Sequence, residues 1–79
     1  MRTAFVLGKI TPAKEKESIY RLSQLDNVSD ARLVVGKFDF VAKIHFEDFE
    51  GFFDSYLKIK RISSIETRKI LIANGTKIA

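Results

Sequence analysis

The chain has 79 residues, room for one domain whose core is small for its surface. It contains no cysteine, which excludes disulfides, thiol chemistry and cysteine-based zinc sites, and its lone histidine, His45, cannot build a metal cluster by itself. The net charge of +4 permits nucleic acid without demanding it. Lys and Arg run from Arg2 to Lys77, with the tightest groups at Lys58-Ile59-Lys60-Arg61 and Arg68-Lys69, as on a solvated face.

From the start of the chain, Arg2 to Ile10 is rich in β formers and reads as a strand. Thr11-Pro12 announces a helix, with the Thr11 hydroxyl as cap and Pro12 at the first helical position. That helix is expected to run to about Leu25, with Ile19, Leu22 and Leu25 on one stripe and Tyr20 widening it. Asp26 to Asp30 is turn chemistry. Ala31 to Val35 reads as a second strand, Gly36 to Asp39 as a short turn, and Phe40 to Phe46 as a third strand with Phe40, Ala42, Ile44 and Phe46 on one face. Glu47-Asp48 opens a second helix, in which Phe49, Phe52, Phe53, Tyr56 and Leu57 form one wide apolar face. Ser63-Ser64 breaks the pattern, and Glu66 to Ala73 is the fourth strand. Asn74-Gly75 is a turn signal, followed by a short tail, Thr76 to Ala79.

The order β-α-β-β-α-β is the split βαβ, or ferredoxin-like, α+β unit: a four-stranded antiparallel sheet with two helices on one face. Residues 1–79 are read as a single domain. The strands are apolar on both faces, with Ala4, Val6 and Ile10 opposed to Phe5 and Leu7, and Ile70 and Ile72 opposed to Leu71 and Ala73. A sheet open to water on one side alternates apolar with polar, so the second face is expected to pack on a partner, most simply the same sheet of a second copy. No stretch reads as a signal peptide or a membrane span, and the reading is of a soluble, cytoplasmic protein.

Catalysis has little support. One histidine without a spacing cue makes no triad, and the acids Glu47, Asp48, Glu50 and Asp54 sit where a helix start favours them. No phosphate or dinucleotide fingerprint is present, and neither a metal nor a cofactor is expected. Two alternatives share the element order. An RNA-recognition motif would stack bases on aromatics of the first and third strands, and Lys37-Phe38-Asp39-Phe40-Val41 has a passing likeness to its third-strand signature; Asp39 would repel phosphate there. A small dimeric α/β-barrel enzyme would need titratable chemistry that is sparse here.

The segment Val34-Val35-Gly36-Lys37-Phe38-Asp39-Phe40-Val41 resembles the Val-x-Gly-x-aromatic-Asp-apolar signature of the effector (RAM) domain in Lrp/AsnC-family transcriptional regulators. Thr3 to Leu7 followed by a helix, Leu25 to Ala31, and Ile62 to Thr67 are similar to the corresponding stretches of that domain. The resemblance covers nearly the whole chain. It implies a non-enzymatic, amino-acid-binding regulatory domain that dimerises through its sheets into an α/β barrel and enlarges to a ring. It implies ligand contacts at Gly36, Lys37, Phe38, Asp39, Phe40 and Thr67, with Asp39 holding the ammonium group of a free amino acid. The chain starts directly at the first strand, without the helix-turn-helix of full-length members. The expectation is therefore a stand-alone effector domain without specific DNA binding of its own, acting through a full-length regulator of the same type. Where that family often carries two threonines in the last strand, this sequence has Thr67 and Lys69.

Overall fold

The structure is a computed structural model that describes residues 2–73. The Asn74-Gly75 turn and the tail expected after it lie outside the described residues. The elements are β1 (Arg2–Ile10), α1 (Glu15–Ser23), β2 (Val28–Leu33), β3 (Phe40–Phe46), α2 (Phe49–Lys60) and β4 (Ile65–Ala73). The strands form one antiparallel sheet in the order β2-β3-β1-β4. This is the ferredoxin-like arrangement, with both helices on one sheet face. One cluster joins Ala4, Val6 and Ile10 of β1 and Phe40, Ala42, Ile44 and Phe46 of β3 to Leu22 of α1 and Phe52 and Ile59 of α2.

β1 and β3 have the bounds their alternation predicts, and every second residue is buried in each. Gly8 sits where β1 meets β4 at a bulge. A Cβ there would lie 2.0 Å from the Glu66 carbonyl oxygen and 2.9 Å from the Phe40 ring, so only glycine fits between the strands.

Three elements differ from expectation. α1 starts at Glu15, not Pro12, and Thr11 is no cap: its carbonyl accepts the Lys14 N–H at 3.0 Å and closes a tight turn. Pro12 and Ala13 are the central residues of that turn, and Ala13 has a positive φ of 71°. Proline followed by a positive φ is the pattern of a type II turn, so the proline signal belongs to the turn. The N-cap, Lys14, makes no side-chain cap bond.

β2 spans Val28–Leu33 instead of residues 31–35. Val28 is buried and pairs with Ile44, and a bulge between Val28 and Asp30 lets Ser29 and Asp30 face outward from an edge strand. Turn-type residues are tolerated there because an edge strand leaves them in water.

α2 is capped by Asp48, which accepts the Gly51 N–H at 2.8 Å. Its apolar face is only half covered. Phe52, Ser55 and Ile59 are buried, but Phe49, Phe53 and Leu57 remain 51%, 56% and 52% exposed. Tyr56 explains the geometry: its hydroxyl meets Thr67 Oγ1 of β4 at 3.1 Å, and β4 is the last strand of the sheet. Phe53 and Leu57 lie further round the helix on the Tyr56 side, beyond the sheet's edge.

Candidate functional site

The connection between β2 and β3 is anchored by Asp39. Its backbone N–H donates to the Gly8 carbonyl at 2.7 Å, and its carbonyl accepts the Val34 N–H at 2.9 Å. Its side chain is equally engaged. Oδ2 accepts the Ile10 N–H at 2.9 Å, and Oδ1 lies 3.4 Å from Lys9 Nζ. The Ile10 N–H, and secondarily the Lys9 ammonium, hold this carboxyl below its ordinary pKa against partial desolvation, so Asp39 is ionised at neutral pH.

Gly36 has a φ of +126°, a conformation that L side chains rarely adopt, and open space lies where a side chain would be. The backbone is thus accessible three residues from a fixed carboxylate. Between this loop, the end of β1 and the start of α1 lies an open cleft of about 390 Å³. Its walls are Ile10, Pro12, Leu33, Val34 and Val35, and its charged residues are Glu15 and Asp39.

The other residues singled out by sequence fall in different places. Lys37 is exposed on the loop beside Gly36, and Phe38 is half-buried. Phe40 is fully buried on the helix-covered face, so it supports the site from behind and presents no ring for a base to stack on. Thr67 pairs across Gly8 in β4, with its hydroxyl bonded to Tyr56, and lines a separate cleft of about 260 Å³ with Lys60, Ile65 and Glu66. Within one protomer Thr67 and Asp39 therefore do not line the same cleft. Ile10, Pro12 and Glu15 were missed by sequence reasoning, since they are remote in sequence from the loop and carry no motif. Val35, which the sequence reading placed in the second strand, lies outside β2 and is fully exposed beside Gly36.

On the sheet face opposite the helices, Phe5 lies between Lys43 and Leu71 in the strand register, and Leu7 between Val41 and Lys69. His45 and Thr3 are neighbours on this face, with 3.4 Å between Thr3 Oγ1 and His45 Nδ1. Phe5, Leu7 and Val41 are only partly buried and Leu71 is exposed, so the apolar second face read from the sequence is present.

No family model matches the sequence, and no curated protein does either. Solved structures do. FFRP-DM1 is 28% identical, with a TM-score of 0.80 over 92% of this chain and 99% of that one. AsnC of E. coli superposes with a TM-score of 0.86 at 20% identity, over 99% of this chain and 54% of its own. The chain is similar to proteins of the Lrp/AsnC type over nearly its whole length. A third neighbour is the feast or famine regulatory protein of M. tuberculosis complexed with L-methionine, with a TM-score of 0.75, 22% identity, and coverage of 100% of this chain and 54% of that one. The chain thus spans about half the length of AsnC and of the M. tuberculosis protein. Among the described residues no helix is long and apolar enough to cross a membrane.

Proposed function

We propose that this RAM-type domain is a non-enzymatic, amino-acid-responsive module of the cytoplasm that modulates transcription through partner regulators of the Lrp/AsnC type. Its ligand site is the Gly36–Asp39 loop and the cleft beside it. One observation carries the reading: an ionised carboxylate, Asp39, fixed three residues from an exposed glycine with positive φ, at the mouth of a mostly apolar cleft. Asp39 pairs with the ammonium group, the Gly36 and Lys37 backbone N–H groups receive the carboxylate, and the apolar walls take the side chain. The L-methionine complex of the M. tuberculosis neighbour supports an amino acid as effector. The domain assembles through its open sheet face, where Phe5, Leu7, Val41 and Leu71 form an apolar centre, into a dimer and then a ring, with the loop sites at junctions between dimers.

Calorimetry with the common amino acids tests this. Asp39→Asn is the variant of choice, because its amide oxygen still accepts the Ile10 N–H while the charge is lost. A charge-assisted hydrogen bond contributes about 1.5–3 kcal/mol, so affinity should fall at least about tenfold. Equal affinities would remove Asp39 from the site, and no binding of any amino acid by the wild type would leave only the assembly role.

A further inference from the structure

We propose that the cleft beside Asp39 selects basic amino acids, lysine or arginine, over neutral and acidic ones; this rests on the amino-acid reading above and specifies its ligand. The observation is the charge pattern of the cleft. Its charged lining residues are two carboxylates, Glu15 and Asp39, and no Lys or Arg lines it. Asp39 has a cation of its own in Lys9, whereas Glu15 is half-buried and is not in any of the ion pairs among the described residues. A helix start favours an acid in its first turn, and Glu15 is there. The α1 N-terminus does not require that this acid share a cleft with the β2–β3 loop, and the Thr11–Lys14 turn, which delays the helix to Glu15, brings it there.

A free amino acid brings one ammonium group. Placed on Asp39, it leaves Glu15 facing the ligand's side chain across walls of Ile10, Pro12, Leu33 and Val35. An apolar side chain would strip water from Glu15 without replacing it, which is unfavourable for an ionised carboxylate. An acidic side chain would add a like charge. A lysine or arginine side chain matches both features: its methylenes lie along the apolar walls and its cationic end meets Glu15. The volume of about 390 Å³ is within the usual range for small-ligand sites.

Calorimetry on the full chain with L-lysine, L-methionine and L-glutamate, for the wild type and Glu15→Gln, decides between the possibilities. Expected is lysine binding at least about tenfold tighter than methionine, with no heat from glutamate. Glu15→Gln should weaken lysine at least about tenfold and leave methionine at least as tight as in the wild type, since the carboxylate that its side chain would strip of water is gone. Glutamine has nearly the size of glutamate and a similar helix propensity, so the variant keeps the fold, which circular dichroism checks. Methionine binding as tightly as lysine, or lysine binding equally to wild type and variant, overturns the selectivity and leaves the amino-acid reading standing. Absence of binding by all three overturns the selectivity and sends the wider reading back to the full set of amino acids.

Discussion

At one edge of the sheet, β2 turns Ser29, Asp30 and Arg32 to solvent, with Arg32 Nε 2.8 Å from Asp30 Oδ2 and a bulge that interrupts its register. At the other edge, the first half of β4 is guarded in the same way, by the Glu66–Arg68 pair at its own bulge. Its second half presents Ile70, Leu71 and Ile72, all exposed, on both faces of the strand. Beside it stand the uncovered Phe49, Phe53 and Leu57 of α2. Charges and bulges are how sheets prevent edge-to-edge pairing. Charges guard most of β2 and the first half of β4 and leave Ile70 to Ile72 apolar, and in the assembly proposed above this undefended half lies in the covered surface. The same contrast separates the proposed ligand site from the proposed assembly surface: the cleft opens on the β2 side, and Ile70 to Ile72 with Phe49, Phe53 and Leu57 lie on the β4 side.

The largest expected effect comes from prising β4 away. Gly8→Ala puts a methyl group against the Glu66 carbonyl oxygen and the Phe40 ring, and backbone cannot yield there as a flexible side chain could. Overpacking of this kind costs about 3 kcal/mol or more, read as a lower midpoint in urea denaturation. Near-wild-type stability would show that β4 can slide along β1, and the contrast between the two edges would lose its structural basis.

A smaller effect tests the contrast itself. Leu71→Lys places a charge beside Phe5 on the open face, at the apolar end of β4, while Arg32→Ala removes a charge from β2. Light scattering at micromolar concentration should show association weakened at least about tenfold by Leu71→Lys, because a charge buried without a partner is costly. Arg32→Ala should leave association unchanged and stability within about 0.5 kcal/mol. A wild type that is monomeric, or a Leu71→Lys that assembles normally, would sink the assignment of this face.

Much of this was legible in the sequence, and the exceptions have physical causes. The alternation of β1 and β3 gave their bounds because each strand has one face in the core. β2 was misread by three residues at its start and two at its end because an edge strand in water needs no alternation, and Asn27 to Asp30 carry turn chemistry whether or not a strand includes them. Thr11-Pro12 suits both a helix start and a tight turn, and the positive φ of Ala13 that decides for the turn is not written in any residue type. The breadth of the α2 apolar face was correct in sequence, but an amphipathic pattern does not say how wide the sheet beneath it is. At the site, Gly36 and Asp39 were legible because a glycine and an acid at fixed spacing form one local motif. Glu15 and Ile10 were not, since only the path of the chain brings them to that loop.

The smallest effect separates the two sides of the sheet by pH. The β2–β3 connection is tied to β1 through a titratable group, since Asp39 Oδ2 accepts the Ile10 N–H, whereas the second half of β4 is held to β1 by backbone pairing among apolar residues. The Asp39 carboxyl is lowered below its ordinary pKa by the Ile10 N–H first and by Lys9 next. A carboxyl depressed in the folded state contributes stability that is fully present above its unfolded pKa, about 3.9, and is lost as the pH falls through the lower folded value. Acid below about pH 4 should therefore loosen the β2 side before the β4 side. Hydrogen exchange, compared with intrinsic rates at each pH, should show the Ile10 amide losing protection over that window while the amides of Phe5 and Leu71 keep theirs. In Asp39→Asn the pH dependence at Ile10 should vanish, because the amide oxygen accepts the same hydrogen bond at every pH. Parallel loss at Ile10 and Leu71 in the wild type would mean that the domain opens as one unit in acid, with Asp39 holding no side of it separately.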